Sequence, residues 1–225
     1  MNNWEEYNEN KNSIFGEAIL TEMFHHDPKN FGYTPYGSEE YEKQQKEAQE
    51  QHIKLQEKGK ISKSHRDSLE YYQGFGSKIL NKRLLLEKGL NTNKQYFREP
   101  SDEEYKESKM YDKHISNFIS KTKPLNHEAH VYSGLSFDPS KHFEQNNGVF
   151  QTPAYTSTSL RPHTAKYFAM DHIPSSDETK IDRHILHFKL PVGYNKGRYL
   201  ESNYPDATVN DMVEAEYLLH KNQKI

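Results

Sequence analysis

The sequence contains no cysteine, which excludes disulfide frameworks, thiolate zinc sites and cysteine nucleophiles. It also lacks long apolar runs: only 32% of the 225 residues are hydrophobic, and no run approaches the ~20 residues that cross a bilayer. The polar start MNNWEEYNEN has neither the cationic region nor the apolar stretch of a secretory signal. We therefore expect a cytoplasmic protein without membrane contact, although export by a route other than Sec stays open.

A strong charge of either sign is missing as well. The chain has 30 Lys and Arg against 33 Asp and Glu, a formal net charge of −3, so we expect no direct nucleic-acid partner. The charge is unevenly distributed, because residues 1–60 hold 12 acids and only 7 lysines. We predict that residues 1–60 form a polar, mostly helical N-terminal extension and that residues 61–225 form a packed domain.

Two helices are predicted in the extension. Apolar residues at helical spacing predict a short helix over residues 14–26, which ends before Asp27-Pro28 because proline disfavours helical geometry in the preceding residue. A charge-rich helix is predicted over residues 38–59, where a solvated helix is favoured over a partner-binding one. The adjacent His25, His26 and Asp27 cannot all face one ion, so we expect no metal site.

The packed domain is predicted to begin with helices and to continue with strands. The predicted helices begin at Asp67 or Ser68, cover Lys78–Leu86 and follow Ser101. The predicted strands are His130–Leu135, Ala154–Ser159 and His184–Leu190, with a helix at Thr164–Met170 between the last two. Helices followed by strands are typical of the α+β class.

Two short motifs have residue types that could carry chemistry: Ser157-Thr158-Ser159 and Glu214-Ala215-Glu216. Each alone is weak, since hydroxyl runs usually line edge strands and glutamates are usually solvated. An extended chain sends residues i and i+2 to one face, so both carboxylates would point the same way. In glycosyl chemistry one carboxylate stabilises an oxocarbenium-like centre while a second aligns or deprotonates the nucleophile.

The order of the segments Val131–Leu135, Tyr155–Ser159 and Glu214–Leu219 resembles the ADP-ribosyltransferase superfamily, in particular its arginine/serine/glutamate branch. The resemblance extends to Leu69–Asn81, which looks like the Tyr-x-Gly turn and Ile-Asn helix of these enzymes, and to Ile185–Tyr199. It implies an ADP-ribosyltransferase-like fold: a helical lead-in, then two small packed antiparallel or mixed sheets around an NAD cleft.

The resemblance also implies roles for single residues. Glu216 matches the catalytic glutamate that holds the nicotinamide-ribose 2′-hydroxyl of NAD and stabilises the oxocarbenium ion. Glu214 matches the residue that engages the acceptor, and a glutamate there points to arginine, because a carboxylate pairs bidentately with guanidinium. Ser157 matches the serine that orients Glu216 and contacts NAD, with Thr158 and Ser159 supporting the nicotinamide pocket.

Further cofactor-binding residues are implied on the first core strand and beside the phosphates, namely Tyr132, Ser133, Gly134 and Arg161. Here the chain departs from the family, which has Tyr-Arg-Gly on this strand. Ser133 thus removes the arginine that braces the NAD phosphates. Spatial substitution by another cation stays open, the candidates being Arg161, Arg183, Arg198 and His130. The resemblance places the acceptor-recognition loop at residues 204–213 and the loop and helix flanking the phosphates at 161–176.

A second departure concerns the end of the sequence, where the family has one more core strand after the Glu-x-Glu strand. We expect either an exposed sheet edge or an edge covered by the N-terminal region.

The sequence therefore predicts a mono-ADP-ribosyltransferase that uses NAD, without a metal, to modify arginines of target proteins. It resembles phage and bacterial-toxin arginine mono-ADP-ribosyltransferases, and looks most like phage enzymes that modify host transcription or translation proteins. Two alternatives stay open: a catalytically inactive interaction module, which Ser133 favours, and an NAD glycohydrolase with water as acceptor.

Overall fold

The computed structural model of the chain describes residues 17–25, 37–55, 61–89, 100–135, 143, 148–171, 182–200 and 214–225. Its helices are α1 (Glu39–Leu55), α2 (Lys63–Tyr71), α3 (Ser77–Glu87), α4 (Asp102–Ser120) and α5 (Pro162–Asp171), with a π-helical turn (Tyr72–Gly76) between α2 and α3. Its strands are β1 (Glu17–His25), β2 (Ala129–Leu135), β3 (Gln151–Thr152), β4 (Thr156–Ser159), β5 (Asp182–Leu190), β6 (Gly197–Tyr199), β7 (Glu216–Leu219) and β8 (Gln223–Lys224).

The strands form two sheets, and every pairing within them is antiparallel. The larger sheet has the order β1-β5-β2-β4-β7-β6, and β3 pairs with β8 in the smaller one. Together with the helices, these sheets confirm the predicted α+β class. Only Tyr132 and Ser159 pair between β2 and β4, so the larger sheet consists of two three-stranded halves that meet at one point.

Buried side chains form two clusters. One lies on β2, β5, β6 and β7 and includes Val131, Phe188, Tyr199 and Leu219. The other joins the helical lead-in to β7 through residues such as Leu80, Phe118 and Leu218. The helices and the sheet are therefore held together by burial of apolar surface, the main favourable contribution to folding.

The helical lead-in follows its local sequence signals. α4 begins with a capping box, in which the Ser101 hydroxyl accepts from the Glu104 amide and the Glu104 carboxylate accepts from the Ser101 amide. α3 is confirmed almost at its predicted bounds. α2 begins earlier than predicted, because Ser62 rather than Asp67 or Ser68 caps it.

The N-terminal predictions need two corrections. Where a helix was predicted over residues 14–26, the described residues 17–25 form β1, which pairs with β5 at the sheet edge. The second predicted helix is present as α1, but one face is buried, including Ala48 and His52. His52 Nδ1 and the Tyr199 hydroxyl are hydrogen-bonded at 2.7 Å, because α1 packs on the sheet.

At the other end of the sequence, a further strand does follow the Glu-x-Glu strand. β8 pairs with β3 and lies outside the larger sheet. The N-terminal region supplies β1 along the edge of β5, in the other half of the larger sheet, whereas the Glu-x-Glu strand β7 lies between β4 and β6.

Candidate active site

A cleft of about 400 Å³ opens where the helical lead-in meets the two halves of the larger sheet. Its walls come from the π-helical turn, the start of α3, strands β2 and β4, helix α5 and the residues that enter β7. The lining residues are Tyr72, Gln73, Gly74, Ser77, Lys78, Tyr132, Ser133, Gly134, Ser157, Thr158, Ser159, Ala165, Phe168, Glu214 and Glu216. The structure thus brings together both sequence motifs and the Tyr132–Gly134 segment in one cavity.

Glu216 is the first residue of β7, and its backbone pairs with Ser159 of β4. It is buried, with 3% of its surface exposed, yet it lines the cleft. The Gln73 side-chain amide lies 3.4 Å from Glu216 Oε2 and donates a hydrogen bond to it. Burial of a carboxylate is costly unless it is hydrogen-bonded or paired, and the Gln73 amide provides one such hydrogen bond.

Glu214 lines the same cleft, as predicted, but the extended conformation predicted for residues 214–216 is wrong. The chain between the two glutamates is not extended: Ala215 has a φ of +46°, in the left-handed region, and β7 begins only at Glu216. The Ser159 hydroxyl donates to the Glu214 carbonyl at 2.5 Å, and the Leu160 amide donates to the Ala215 carbonyl. A tight turn, not strand alternation, brings the two carboxylates to one site.

The surroundings of Glu214 change its acidity. Burial raises the pKa of this carboxyl above its ordinary value of 4.5, and the nearby Arg161 charge offsets part of that effect. Glu214 is therefore a better proton acceptor than a solvated glutamate.

The Ser-Thr-Ser strand presents its three hydroxyls in different ways. Ser157 is exposed to the cleft, and its Oγ lies 3.2 Å from the Tyr72 hydroxyl. Thr158 and Ser159 are buried, and their hydroxyls donate to the backbone carbonyls of Tyr217 and Glu214, respectively. Thr158 and Ser159 therefore fix the backbone around the glutamates, whereas the Ser157 side chain faces the cleft.

Tyr72 links this strand to the helical lead-in. Its hydroxyl accepts from Asn81 Nδ2 at 3.4 Å, and the same amide donates to the Tyr155 carbonyl at 3.1 Å. Burial, together with the charge of Glu216, raises the pKa of Tyr72 well above its ordinary range. The phenol thus stays protonated and can donate to Ser157.

Tyr132, Ser133 and Gly134 of β2, the first core strand of the sequence argument, line the cleft, and two of them also hold neighbouring elements together. The Ser133 hydroxyl donates to the Ser157 carbonyl at 3.1 Å, which ties the two halves of the sheet together beside the Tyr132–Ser159 pair. At Gly134 an added Cβ would lie only 1.9 Å from the Ala165 carbonyl oxygen, so glycine allows α5 to approach β2 closely.

Arg161, the remaining predicted cofactor-binding residue, is buried and is not among the lining residues. Its backbone amide donates to Ser159 Oγ at 3.0 Å, and its charge acts on Glu214. The structure thus places it behind the cleft wall, where it affects an acid in the site.

Two of the other cations named as substitutes for the first-strand arginine, Arg198 and His130, are engaged elsewhere. Arg198 donates to the Phe118 carbonyl, and its guanidinium stacks on the Phe118 ring at 3.8 Å. His130 is hydrogen-bonded to His187 and to Glu128. The side chain of Arg183 lies outside the described residues.

Sequence reasoning gave no role to the lead-in residues on the cleft, among them Tyr72, Gln73, Ser77 and Lys78. The Tyr-x-Gly resemblance marked this segment, and its position in the family could have shown that it faces the ligand. The acceptor loop predicted at 204–213 lies outside the described residues, as do positions 172–176 of the predicted phosphate-flanking segment.

Two kinds of feature are absent from the described residues. They contain no group of three or more His, Asp or Glu side chains placed to hold a metal ion. In the same part of the chain, none of the helices combines the length and the apolar character needed to cross a bilayer.

No protein-family model and no curated protein matches the chain, but solved structures do. It is similar to the ADP-ribosyltransferase Vis in complex with agmatine, at 18% identity and a TM-score of 0.49 over 85% of this chain and 79% of that one. It is also similar to the Vis toxin, an ADP-ribosyltransferase of Vibrio splendidus, at 15% identity and a TM-score of 0.43 over 89% of this chain and 78% of that one. A third similar structure is the enzymatic component C2-I of the Clostridium botulinum C2-toxin, at 18% identity and a TM-score of 0.42 over 84% of this chain and 41% of that one. The chain thus resembles ADP-ribosyltransferase structures at low identity, and its chemistry has to be deduced from the side chains of its cleft.

Proposed function

We propose that the protein is a mono-ADP-ribosyltransferase that transfers ADP-ribose from NAD to arginine side chains of target proteins. The observation that carries the proposal is the convergence of Glu214, Glu216 and Ser157 on one cleft. Two carboxylates with unlike surroundings suit a reaction in which one stabilises positive charge and the other takes a proton.

In the proposed reaction, the bond between nicotinamide and the ribose C1′ breaks, and its electron pair leaves with nicotinamide. Glu216 holds the ribose 2′-hydroxyl and stabilises the oxocarbenium-like sugar. A guanidinium nitrogen of the acceptor then bonds to C1′, and Glu214 accepts the proton that this nitrogen loses. The raised pKa of Glu214 favours that step, because a base gains proton affinity as its pKa rises.

The acceptor and the location are part of the same proposal. Arginines of host transcription or translation proteins are the proposed targets, and the cytoplasm is the proposed location, which would be that of the host if the protein is encoded by a phage. The cleft-lining residues all lie between Tyr72 and Glu216, within the proposed catalytic region 61–225, whereas the described parts of residues 1–60 add β1 to the larger sheet and pack α1 on it.

Two glutamate variants separate the steps of the reaction. We expect Glu216→Ala to abolish both nicotinamide release and transfer. Glu214→Gln should suppress transfer to agmatine, a small guanidine, by roughly 100-fold or more, because that is the scale of lost general-base catalysis. Hydrolysis of NAD, with water as the acceptor, should continue in this variant and still release nicotinamide. Mass spectrometry of ADP-ribosyl-agmatine and chromatography of nicotinamide give the two readouts.

Glu70→Ala, an exposed glutamate of α2 away from the cleft, is the matched control and should behave as the wild type. Equal residual activities in the Glu214 and Glu216 variants would contradict the two roles. Nicotinamide release without any labelled acceptor in the wild type would indicate an NAD glycohydrolase. A folded wild type that releases no nicotinamide would indicate an inactive interaction module.

A further inference from the structure

The charges that line the cleft are unevenly distributed. Glu214 and Glu216 are its acidic residues, and Lys78 is the one lysine or arginine among the described residues that line it. A dinucleotide carries two negative phosphates, which need a cation or several amide donors when they leave water. Lys78 is therefore the first residue to consider as their partner.

Strand β2 cannot supply this charge through Ser133. That side chain is neutral, and its hydroxyl already donates to the Ser157 carbonyl, so it serves the junction of the sheet halves. Arg161 lies behind the wall of the cleft, and Arg198 is stacked on Phe118.

The position of Lys78 and the exposure of its side chain both suit a contact with phosphates in the cleft. It lies in the first turn of α3, next to Ser77, which also lines the cleft. Its side chain is exposed, and its ammonium lies 5.9 Å from the centre of the exposed Phe75 ring in the preceding π-helical turn. A lysine on a flexible stem acts as a point charge that adjusts to a phosphate, and it needs no bidentate geometry.

We infer that Lys78 binds the diphosphate of NAD and takes over the role that an arginine on the first core strand would have. The inference rests on the proposed function, since it assumes that the cleft binds NAD. In this arrangement Lys78 of α3 supplies the positive charge for the phosphates, while Ser133 of β2 keeps a small hydroxyl that joins the sheet halves.

The test compares ligands with and without phosphates, using calorimetry on the full-length protein. ADP-ribose carries the diphosphate, whereas nicotinamide riboside carries none. Lys78→Ala should weaken ADP-ribose binding about tenfold, the effect of one lost charged hydrogen bond, and leave nicotinamide riboside unchanged. Lys78→Arg should restore most of the affinity, and added salt should weaken ADP-ribose binding more in the wild type than in Lys78→Ala.

Lys109→Ala is the matched control, because it removes an exposed lysine of α4 away from the cleft. If the wild type and Lys78→Ala bind ADP-ribose equally well, the assignment of Lys78 is wrong while the NAD cleft stands. If the folded wild type binds neither ligand, the proposed function itself fails and the assignment of Lys78 fails with it.

Discussion

At the scale of single residues, the raised pKa of Glu214 predicts how transfer should depend on pH. Its pKa is raised above 4.5, with Arg161 lowering it only in part, so on acidification Glu214 takes up its proton at a higher pH than a solvated glutamate does. If Glu214 accepts the acceptor's proton, its protonation should slow transfer more than hydrolysis, because hydrolysis does not depend on this base in the proposed reaction.

The ratio of ADP-ribosyl-agmatine to free ADP-ribose should therefore fall as the pH is lowered, and the fall should begin at a higher pH than a carboxyl with the ordinary pKa of 4.5 would give. Product ratios at saturating NAD check this, because changes in the shared step of nicotinamide release cancel. In Glu214→Gln the ratio should be low and independent of pH. A constant ratio in the wild type would rule out Glu214 as the base for the acceptor.

Most of the candidate site residues could be predicted from the sequence because they belong to contiguous motifs. Ser157, Glu214 and Glu216 all line the cleft. The left-handed conformation of Ala215 could not be predicted, since alanine has no preference for it and only the hydrogen bonds around the turn stabilise it. Lys78 was missed because no local pattern distinguishes a cleft lysine from a solvated one.

At the scale of the elements, the packing of α5 on β2 depends on one small residue. A Cβ at Gly134 would meet the backbone of α5 at 1.9 Å from the Ala165 carbonyl oxygen and 2.7 Å from the Ala169 nitrogen. Backbone atoms cannot rotate away as a side chain does, so α5 or β2 has to shift.

Gly134→Ala should lower the free energy of unfolding by about 3 kcal/mol, the upper end of ordinary overpacking. Urea denaturation followed by circular dichroism measures the change. Lys109→Ala serves as the control, because it changes an exposed side chain of α4. Equal stabilities of the two variants would show that the contact with α5 is not tight in solution.

Helices with clear caps could be predicted, whereas elements formed by distant pairing could not. α4 carries its own start signal in Ser101 and Glu104. β1 has apolar residues that also fit a helical spacing, and it becomes a strand because β5, over 160 residues later, offers an edge for pairing. The two-residue strands β3 and β8 are too short for any periodicity to predict them.

At the scale of the whole molecule, one carboxylate connects three parts of the fold. Asp112 of α4 accepts from Lys221 in the turn between β7 and β8, from Arg83 of α3 and from the Tyr155 hydroxyl before β4. Burial alone would raise the pKa of Asp112, but the hydrogen bonds from Lys221, Arg83 and Tyr155 outweigh it and hold the pKa below 3.8. The ionised form is therefore the stabilising one.

Asp112→Asn should reduce the free energy of unfolding by about 3 kcal/mol near neutral pH, because Arg83 and Lys221 lose a largely buried partner. A lowered carboxyl pKa contributes stability above its unfolded value and loses it as the pH falls through the folded value. The difference between wild type and variant should thus be constant above pH 3.8 and shrink below it. Denaturation at several pH values checks this, and a difference that grows on acidification would contradict it.

The turn at Ala215 has a consequence for how such a protein can change its specificity over evolutionary time. Glu216 is fixed by the β4–β7 ladder, whereas the backbone of Glu214 is held by the Ser159 hydroxyl outside that ladder. A mutation at position 214 therefore leaves the ladder and the donor chemistry intact. On the proposed roles, acceptor chemistry and cleavage of the dinucleotide depend on separate pieces of backbone, so a substitution at position 214 alters the acceptor step while cleavage is preserved.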